Sequence, residues 1–267
     1  MLYKIFSKVL ANRLKKLLPT IIIEHQFAFT KDHLITDNIL VAFETLHSMK
    51  KYKSRDNGFM FLKLDMSKAY DQVEWTFLEN LMRKMGFCEN WIGLMIVCVR
   101  TISYSILING EPKRMVYPLR GIRQGDPLSP FLFPLCTKGL HGLINSATRR
   151  GDIKGFSLCK GGLELTHLLF ADDSLLFCKA TSEECEKVLQ IWESYEQSSS
   201  QKVNRNKTTI FFTKATLDTL KQAIKTALGL QEITEYEKYL GLPSLVGRRK
   251  KESFNFIKEK IWRKLQD

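Results

Sequence analysis

The chain has 267 residues, 44% hydrophobic and 26% charged, which is long enough for a large core and excludes a polypeptide dominated by disorder. Forty-one Lys and Arg against 28 Asp and Glu leave a formal net charge of +13. That balance fits a protein that meets nucleic acid, with membrane surfaces or acidic partners as alternatives, while the lack of any apolar stretch near the roughly 20 residues of a spanning helix argues against insertion in a bilayer.

Apolar and basic positions alternate at helical spacing from Ile5 to Leu18, and Pro19 is expected to close that helix. The opening residues do not read as a secretory signal, so an intracellular protein is expected. Thr36-Asp37 can cap a helix from about Asn38 to Lys53, followed by a turn at Asp56-Asn57-Gly58 and an apolar strand from Phe59 to Leu64 that ends at Asp65. Helices are predicted from Glu74 to Met85 and from Asn90 to Arg100. A hairpin follows, with Ser103 to Ile108 and Lys113 to Tyr117 joined at Asn109-Gly110, a pair that readily takes positive φ. Ser129 as N-cap and Pro130 at N1 start a helix that Pro134 is expected to interrupt. Thr181 and Glu184 form a capping box for a helix to about Ser198; a strand at Thr208 to Phe212, a helix at Leu217 to Leu228 and a basic helix at Glu252 to Leu265 complete the chain. The six cysteines, Cys88, Cys98, Cys136, Cys159, Cys178 and Cys185, have no CxxC spacing and are expected as buried free thiols without a disulfide partner. The order of elements predicts an α+β fold whose antiparallel sheet is backed by helices on one face.

Phe170-Ala171-Asp172-Asp173, with Leu168-Leu169 before and Ser174-Leu175-Leu176-Phe177 after, sets two carboxylates on a tight bend between strands that want burial. A solvated Asp-Asp turn is the simpler reading of such a pair. The apolar flanks favour another: adjacent buried carboxylates repel, and a hard divalent cation relieves the cost. Asp65, at the end of another strand, supplies a third carboxylate. Three carboxylates from two strands can hold two ions about 3.5–4 Å apart, the arrangement that serves nucleotidyl transfer.

With these residues the sequence resembles reverse transcriptases of non-LTR (LINE-type) retrotransposons, especially plant ones. Lys63-Leu64-Asp65-Met66-Ser67-Lys68-Ala69-Tyr70-Asp71 is similar to their first palm motif and Phe170 to Asp173 to the third. Arg120-Gly121, Arg123-Gln124-Gly125-Asp126-Pro127-Leu128-Ser129-Pro130 resembles the second. Gln201, Asn204, Lys207-Thr208 and Tyr239-Leu240-Gly241-Leu242-Pro243 resemble the fourth and fifth. The resemblance implies a right-hand polymerase, with fingers at approximately 1–58 and 74–120, palm at 59–73 and 121–235, and primer grip and partial thumb at 236–267.

It also implies roles. Asp65, Asp172 and Asp173 would bind two Mg²⁺ ions, with Mn²⁺ as the alternative. Met66, Tyr70, Gln124 and Gly125 would contact the incoming dNTP, Tyr70 by placing a ring where a 2′-hydroxyl would clash. Lys207 would either protonate the departing pyrophosphate or sit on the surface beside phosphates. Arg123, Tyr239, Leu240, Gly241, Lys260 and Arg263 would touch the RNA template and DNA primer, although the last helix also reads as an ordinary solvated face. Departures accompany the match: Lys31-Asp32-His33 stands where the family has Pro-Gly-Arg, Ser200 replaces a glycine, Arg205 an apolar residue and Gln72 an arginine. By this resemblance the chain is expected to begin partway into the fingers, without endonuclease or ribonuclease H regions, as an N-terminally truncated domain acting in the nucleus or nucleocytoplasm. The expected activity is RNA-directed DNA polymerisation; the alternative is a remnant that only binds nucleic acid, and a group II intron-type splicing cofactor fits less well.

Overall fold

The computed structural model describes residues 2–22, 35–53, 58–159, 161–170, 172–233, 238–240, 242–243 and 250–266. In chain order its elements are α1 (Leu2–Ile21), α2 (Ile35–Lys51), β1 (Phe59–Leu64), β2 (Met66–Ser67), α3 (Trp75–Lys84), α4 (Glu89–Arg100), β3 (Tyr104–Ile108), β4 (Glu111–Val116) and α5 (Ser129–Arg150). Then follow β5 (Phe156–Ser157), β6 (Glu164–Leu165), β7 (His167–Phe170), β8 (Asp173–Lys179), α6 (Ser182–Ser199), β9 (Lys202–Val203) and β10 (Thr209–Phe212). Last come α7 (Asp218–Leu228), β11 (Gln231–Glu232), β12 (Lys238–Tyr239), β13 (Leu242–Pro243) and α8 (Lys250–Gln266).

Phe59-Met60-Phe61-Leu62 and Leu175-Leu176-Phe177-Cys178 are apolar without alternation, the mark of strands buried on both faces. They become the centre of a five-stranded sheet, β11-β10-β1-β8-β7, in which only β10 and β11 run parallel. Met60, Leu62, Leu64, Leu176, Cys178 and Ile210 face a core built with α5, α6 and α7. The opposite face carries Phe59, Phe61, Leu175 and Phe177, which form a core with Ala42, Leu46 and Met49 of α2, so helices lie on both faces rather than on the one expected. A third core joins α1, α3, α4 and the first turns of α5.

Several boundaries differ from expectation for local reasons. Helix α1 passes through Pro19 to Ile21, whose carbonyl accepts a hydrogen bond from Lys138 Nζ. Helix α2 starts at Ile35, so Thr36 and Asp37 lie in its first turn rather than capping it. Residue 128, not Ser129, is the N-cap of α5, and the helix continues unbroken through Pro134 to Arg150. Burial of Leu132, Phe133, Pro134 and Leu135, at about 1.5–3 kcal/mol for each large side chain, outweighs the ~3 kcal/mol that an interior proline costs. The Asn109-Gly110 hairpin is as expected, with φ of 52° and 85° at the two turn residues. Thr181 Oγ1 accepts the Glu184 N–H at 3.2 Å, but the Glu184 carboxylate turns to the backbone N–H groups of Lys154 and Lys179. Cys98, Cys136, Cys178 and Cys185 are buried and Cys88 and Cys159 are exposed, all six as free thiols; the two exposed ones precede a helix or sit in a turn.

Two of the departures acquire physical meaning. Arg205 lies 5.3 Å over the Trp192 ring and donates to the carbonyl of Leu228, the last residue of α7, so its charge meets the negative end of a helix. Ser200 ends α6 in the left-handed region at φ 58°, which costs a residue with a Cβ about 1 kcal/mol or more relative to glycine. Ser200→Gly should therefore stabilise the protein by about 1 kcal/mol and raise Tm by about 2–4 °C. Thermal unfolding followed by circular dichroism measures this, and a lower Tm would speak against strain there. Nothing in the structure explains Gln72.

Candidate active site

The pair Phe170↔Asp173 closes the β7–β8 hairpin, so Asp172 lies in its two-residue turn and Asp173 opens β8. On the other side of β8, the last pair with β1 is Leu64↔Ser174, and one more step of that antiparallel register sets Asp65 opposite Asp173. Side chains alternate along a strand, so Asp65 and Asp173 share the face of Phe61, Leu175 and Phe177. The Asp65 backbone is fixed on both sides: its N–H donates to Thr208 Oγ1 at 3.2 Å, and its carbonyl accepts the Asn204 N–H at 2.8 Å. The motif around Asn204 and Thr208 thus acts as a brace for Asp65.

Asp173 feels the charge of the other two carboxylates. The Asp173 carboxyl is raised above the ordinary range first by burial, then by the charge of Asp172, with Asp65 adding a smaller push and Lys63 opposing. Among the described residues no three His, Cys, Asp or Glu side chains already converge as a metal site. The donor set nonetheless fits a hard divalent ion: three mutually repelling, oxygen-bearing carboxylates at one sheet end would gain from a cation between them. Lys63 was not anticipated as part of this cluster. Its signal was the period of two that places it on the face of Asp65.

The folded Asp173 carboxyl holds its proton to higher pH than an unfolded one. Its contribution to stability is complete below the usual Asp value of about 3.9 and is lost as pH rises through the raised folded value. In metal-free protein Asp173→Asn should therefore raise Tm at pH 7, with the gain shrinking toward pH 3. Melts in chelator at both pH values test this, and a gain independent of pH would contradict the crowding of Asp173.

Tyr70 stands beside this cluster. Burial, followed by the charge of Asp172, pushes its phenol up to about 12. One face of its ring is stacked on Phe133, with centroids 4.5 Å apart and planes 10° from parallel. The stretch Gly121 to Gly125 docks against the same turn: Gly121 N–H donates to Val73 O at 2.8 Å, Ile122 N–H to Tyr70 O at 2.9 Å, and Trp75 Nε1 to Gly121 O at 2.8 Å. Buried Gln201 ties a third motif to it, donating from Nε2 to Ala69 O at 2.6 Å while its Oε1 accepts from the Tyr195 hydroxyl at 2.5 Å.

The other candidate residues lie on several different elements. Met66 pairs with Val203 in the short β2–β9 ladder. Arg123, Gln124 and Gly125 are exposed; Gly125 has φ 80°, and Arg123 and Gln124 line a cleft of about 560 Å³ with Asp71, Tyr104 and Arg120. Lys207 is exposed on the loop that braces Asp65, and the cation whose charge reaches Asp173 is Lys63. Tyr239 belongs to the β12–β13 hairpin, and Leu240, at φ 49°, packs against the core on the aspartate-bearing face of the sheet. Lys260 and Arg263 are exposed on α8. Gly241 and Lys31-Asp32-His33 lie outside the described residues, as does Ala171.

An uncharacterized mitochondrial protein of Arabidopsis thaliana is 50% identical over 68 residues, 26% of this chain and 56% of that protein. The Pol polyprotein of the type-1 retrotransposable element R2 from Nasonia vitripennis is 26% identical over 178 residues, covering 65% of this chain and 16% of the polyprotein. The chain thus spans little more than half of the first relative and a small part of the second. Among solved structures, the telomerase of Candida albicans in complex with a TWJ fragment of telomeric RNA superposes with a TM-score of 0.56 at 15% identity, over 89% of this chain and 37% of that one. This likeness gives the fold, that of a right-hand polymerase. The family model for reverse transcriptase (RNA-dependent DNA polymerase) matches residues 1–256, and the chain belongs to that family.

Proposed function

We propose that the chain extends a DNA 3′ end on an RNA template, taking dNTPs and releasing pyrophosphate. The observation that carries this reading is the meeting of Asp65, Asp172 and Asp173 at one end of the sheet, with Tyr70 within reach of the charge of Asp172. Residues 59–73 and 121–235 then serve as palm, 1–58 and 74–120 as fingers, and 236–267 as primer grip and the start of a thumb.

The three aspartates would hold two Mg²⁺ ions, or Mn²⁺. Bound there, the ions would activate the 3′ hydroxyl and neutralise charge on the leaving pyrophosphate. Asp65 is presented on a backbone clamped by Asn204 and Thr208, and Lys63 balances part of the negative charge. Met66 and the turn at Gln124 and Gly125, where a positive φ lets backbone approach closely, border the nucleotide. Tyr70 bars a 2′-hydroxyl. Lys207, exposed on the loop that braces Asp65, would donate to phosphate. Arg123, Tyr239, Leu240, Gly241, Lys260 and Arg263 would contact the hybrid, the charged ones through its phosphates, which makes binding strongly salt-dependent and largely indifferent to sequence. Among the described residues no helix is long and apolar enough to cross a membrane. A retroelement-type polymerase of this kind would act in the nucleus or nucleocytoplasm.

The test is Mg²⁺-dependent extension of a DNA primer on an RNA template beside Asp172→Ala. Product that depends on Asp172 supports the proposal. Hybrid binding without such product overturns it and favours a binding-only remnant.

A further inference from the structure

We propose that Phe133, on the second turn of α5, is a positioning residue for sugar selection: its stack fixes the Tyr70 ring against the site and so sets the preference for deoxynucleotides. This deepens the polymerase reading and rests on it.

Phe133 is fully buried at 0% exposure, whereas Tyr70 is only half-buried. The two rings lie 4.5 Å apart and 10° from parallel, so one face of Tyr70 is backed by an immobile plane. Within a packed core a ring in that position has no free volume into which to retreat. Tyr70 also senses the charge of Asp172, so the ring that Phe133 backs lies within reach of that carboxylate. Its main chain is held independently of the ring: Tyr70 O accepts the Ile122 N–H at 2.9 Å and the preceding Ala69 O accepts from Gln201 at 2.6 Å. The backbone anchors fix where the side chain starts, and Phe133 fixes where it ends. A barrier to a 2′-hydroxyl works only if the ring cannot yield, because a displacement of about 1 Å is enough to make room and to cost or regain orders of magnitude in rate. Phe133 belongs to none of the matched motifs, and its part is visible only in three dimensions.

Phe133→Leu keeps most of the apolar volume but loses the flat backing, and Phe133→Met does the same with a more adaptable chain. Either substitution should let Tyr70 tilt toward α5. The expected result is a fall of tenfold or more in the ratio of kcat/KM for a dNTP to that for the matching rNTP, chiefly through faster rNTP use. In a Tyr70→Ala background, where no ring remains to be positioned, Phe133→Leu should leave that ratio unchanged. A general loosening of the fold would instead lower both rates alike and would add to Tyr70→Ala. An unchanged ratio in both single variants, or an additive effect on the double variant, overturns the inference.

Failure of the polymerase reading is separable. If the parent protein yields no product, the same ratio is read as equilibrium binding of dNTP and rNTP to the protein–hybrid complex in Ca²⁺. A dNTP preference that Phe133→Leu and Phe133→Met erase then upholds the inference, and no preference in the parent overturns it.

Discussion

Asp172→Ala should reduce Mg²⁺-dependent primer extension about 10³-fold or more while leaving the fold and hybrid binding in place. Removing one ligand of a catalytic metal pair forfeits several kcal/mol of charge stabilisation in the transition state, and each 1.36 kcal/mol is a factor of ten in rate. Stability should not fall with activity, because Asp172 is exposed in a hairpin turn and its charge raises the cost of ionising Asp173. The variant therefore separates a chemical defect from a folding defect. A second readout is independent of turnover: with the Asp172 charge gone, the Tyr70 phenol should ionise below its present value of about 12. Ultraviolet titration of tyrosinate follows this shift. Full activity in the variant would remove the hairpin from the catalytic site, and an unmoved phenol would separate Asp172 from Tyr70.

The largest structural effect is expected at Gly121. Its φ is +94°, and a Cβ would lie 2.7 Å from the backbone oxygen of Asp71. Strain of roughly 1–2 kcal/mol for the backbone conformation adds to a clash that no side-chain rotation can relieve, so Gly121→Ala should destabilise by about 2–4 kcal/mol and lower Tm by about 5–12 °C. The consequence for function is also local. The Gly121 and Ile122 N–H groups hold this stretch to Val73 and Tyr70, so pushing it away shifts Gln124 and Gly125 relative to the aspartates. Extension should fall at least about tenfold at temperatures where the variant is still folded. Calorimetry and assays below the variant's Tm measure the two losses separately. A variant as stable and active as the parent would mean that the close approach to Asp71 is relaxed without cost.

What could be read from the residues was whatever depends on short-range pattern. The strand ending at Asp65, the Asp172-Asp173 turn, the Asn109-Gly110 hairpin and the Thr181 cap all follow from local apolar runs, turn chemistry and capping. Residues that act across long separations were not legible. The period of two puts Lys63 on the face of Asp65, but that its charge reaches Asp173 on the neighbouring strand is not written near it, and nothing near Thr208 reveals that its hydroxyl holds the Asp65 backbone. Pro134 and Pro19 stay helical because burial and the Lys138 contact, which local propensity does not contain, offset their cost. The charge of Arg205 is matched by Trp192 and the end of α7, both distant in the chain. Ser200 is the opposite case: the glycine it replaces points to a left-handed backbone, and the structure has one.

The central strand β1 carries a consequence for how the protein comes into being. One of its edges is paired by β8, through Phe61↔Phe177, and the other by β10, through Phe61↔Phe211. Both partners emerge from the ribosome long after β1 itself, so a nascent chain ending before β8 leaves an apolar strand with two open edges. Ordering such distant pairings is slow, because the loop entropy must be met before the contacts form. During that interval β1 is exposed to pairing with another copy, and its last free edge closes only once β10, through Phe212, has left the ribosome.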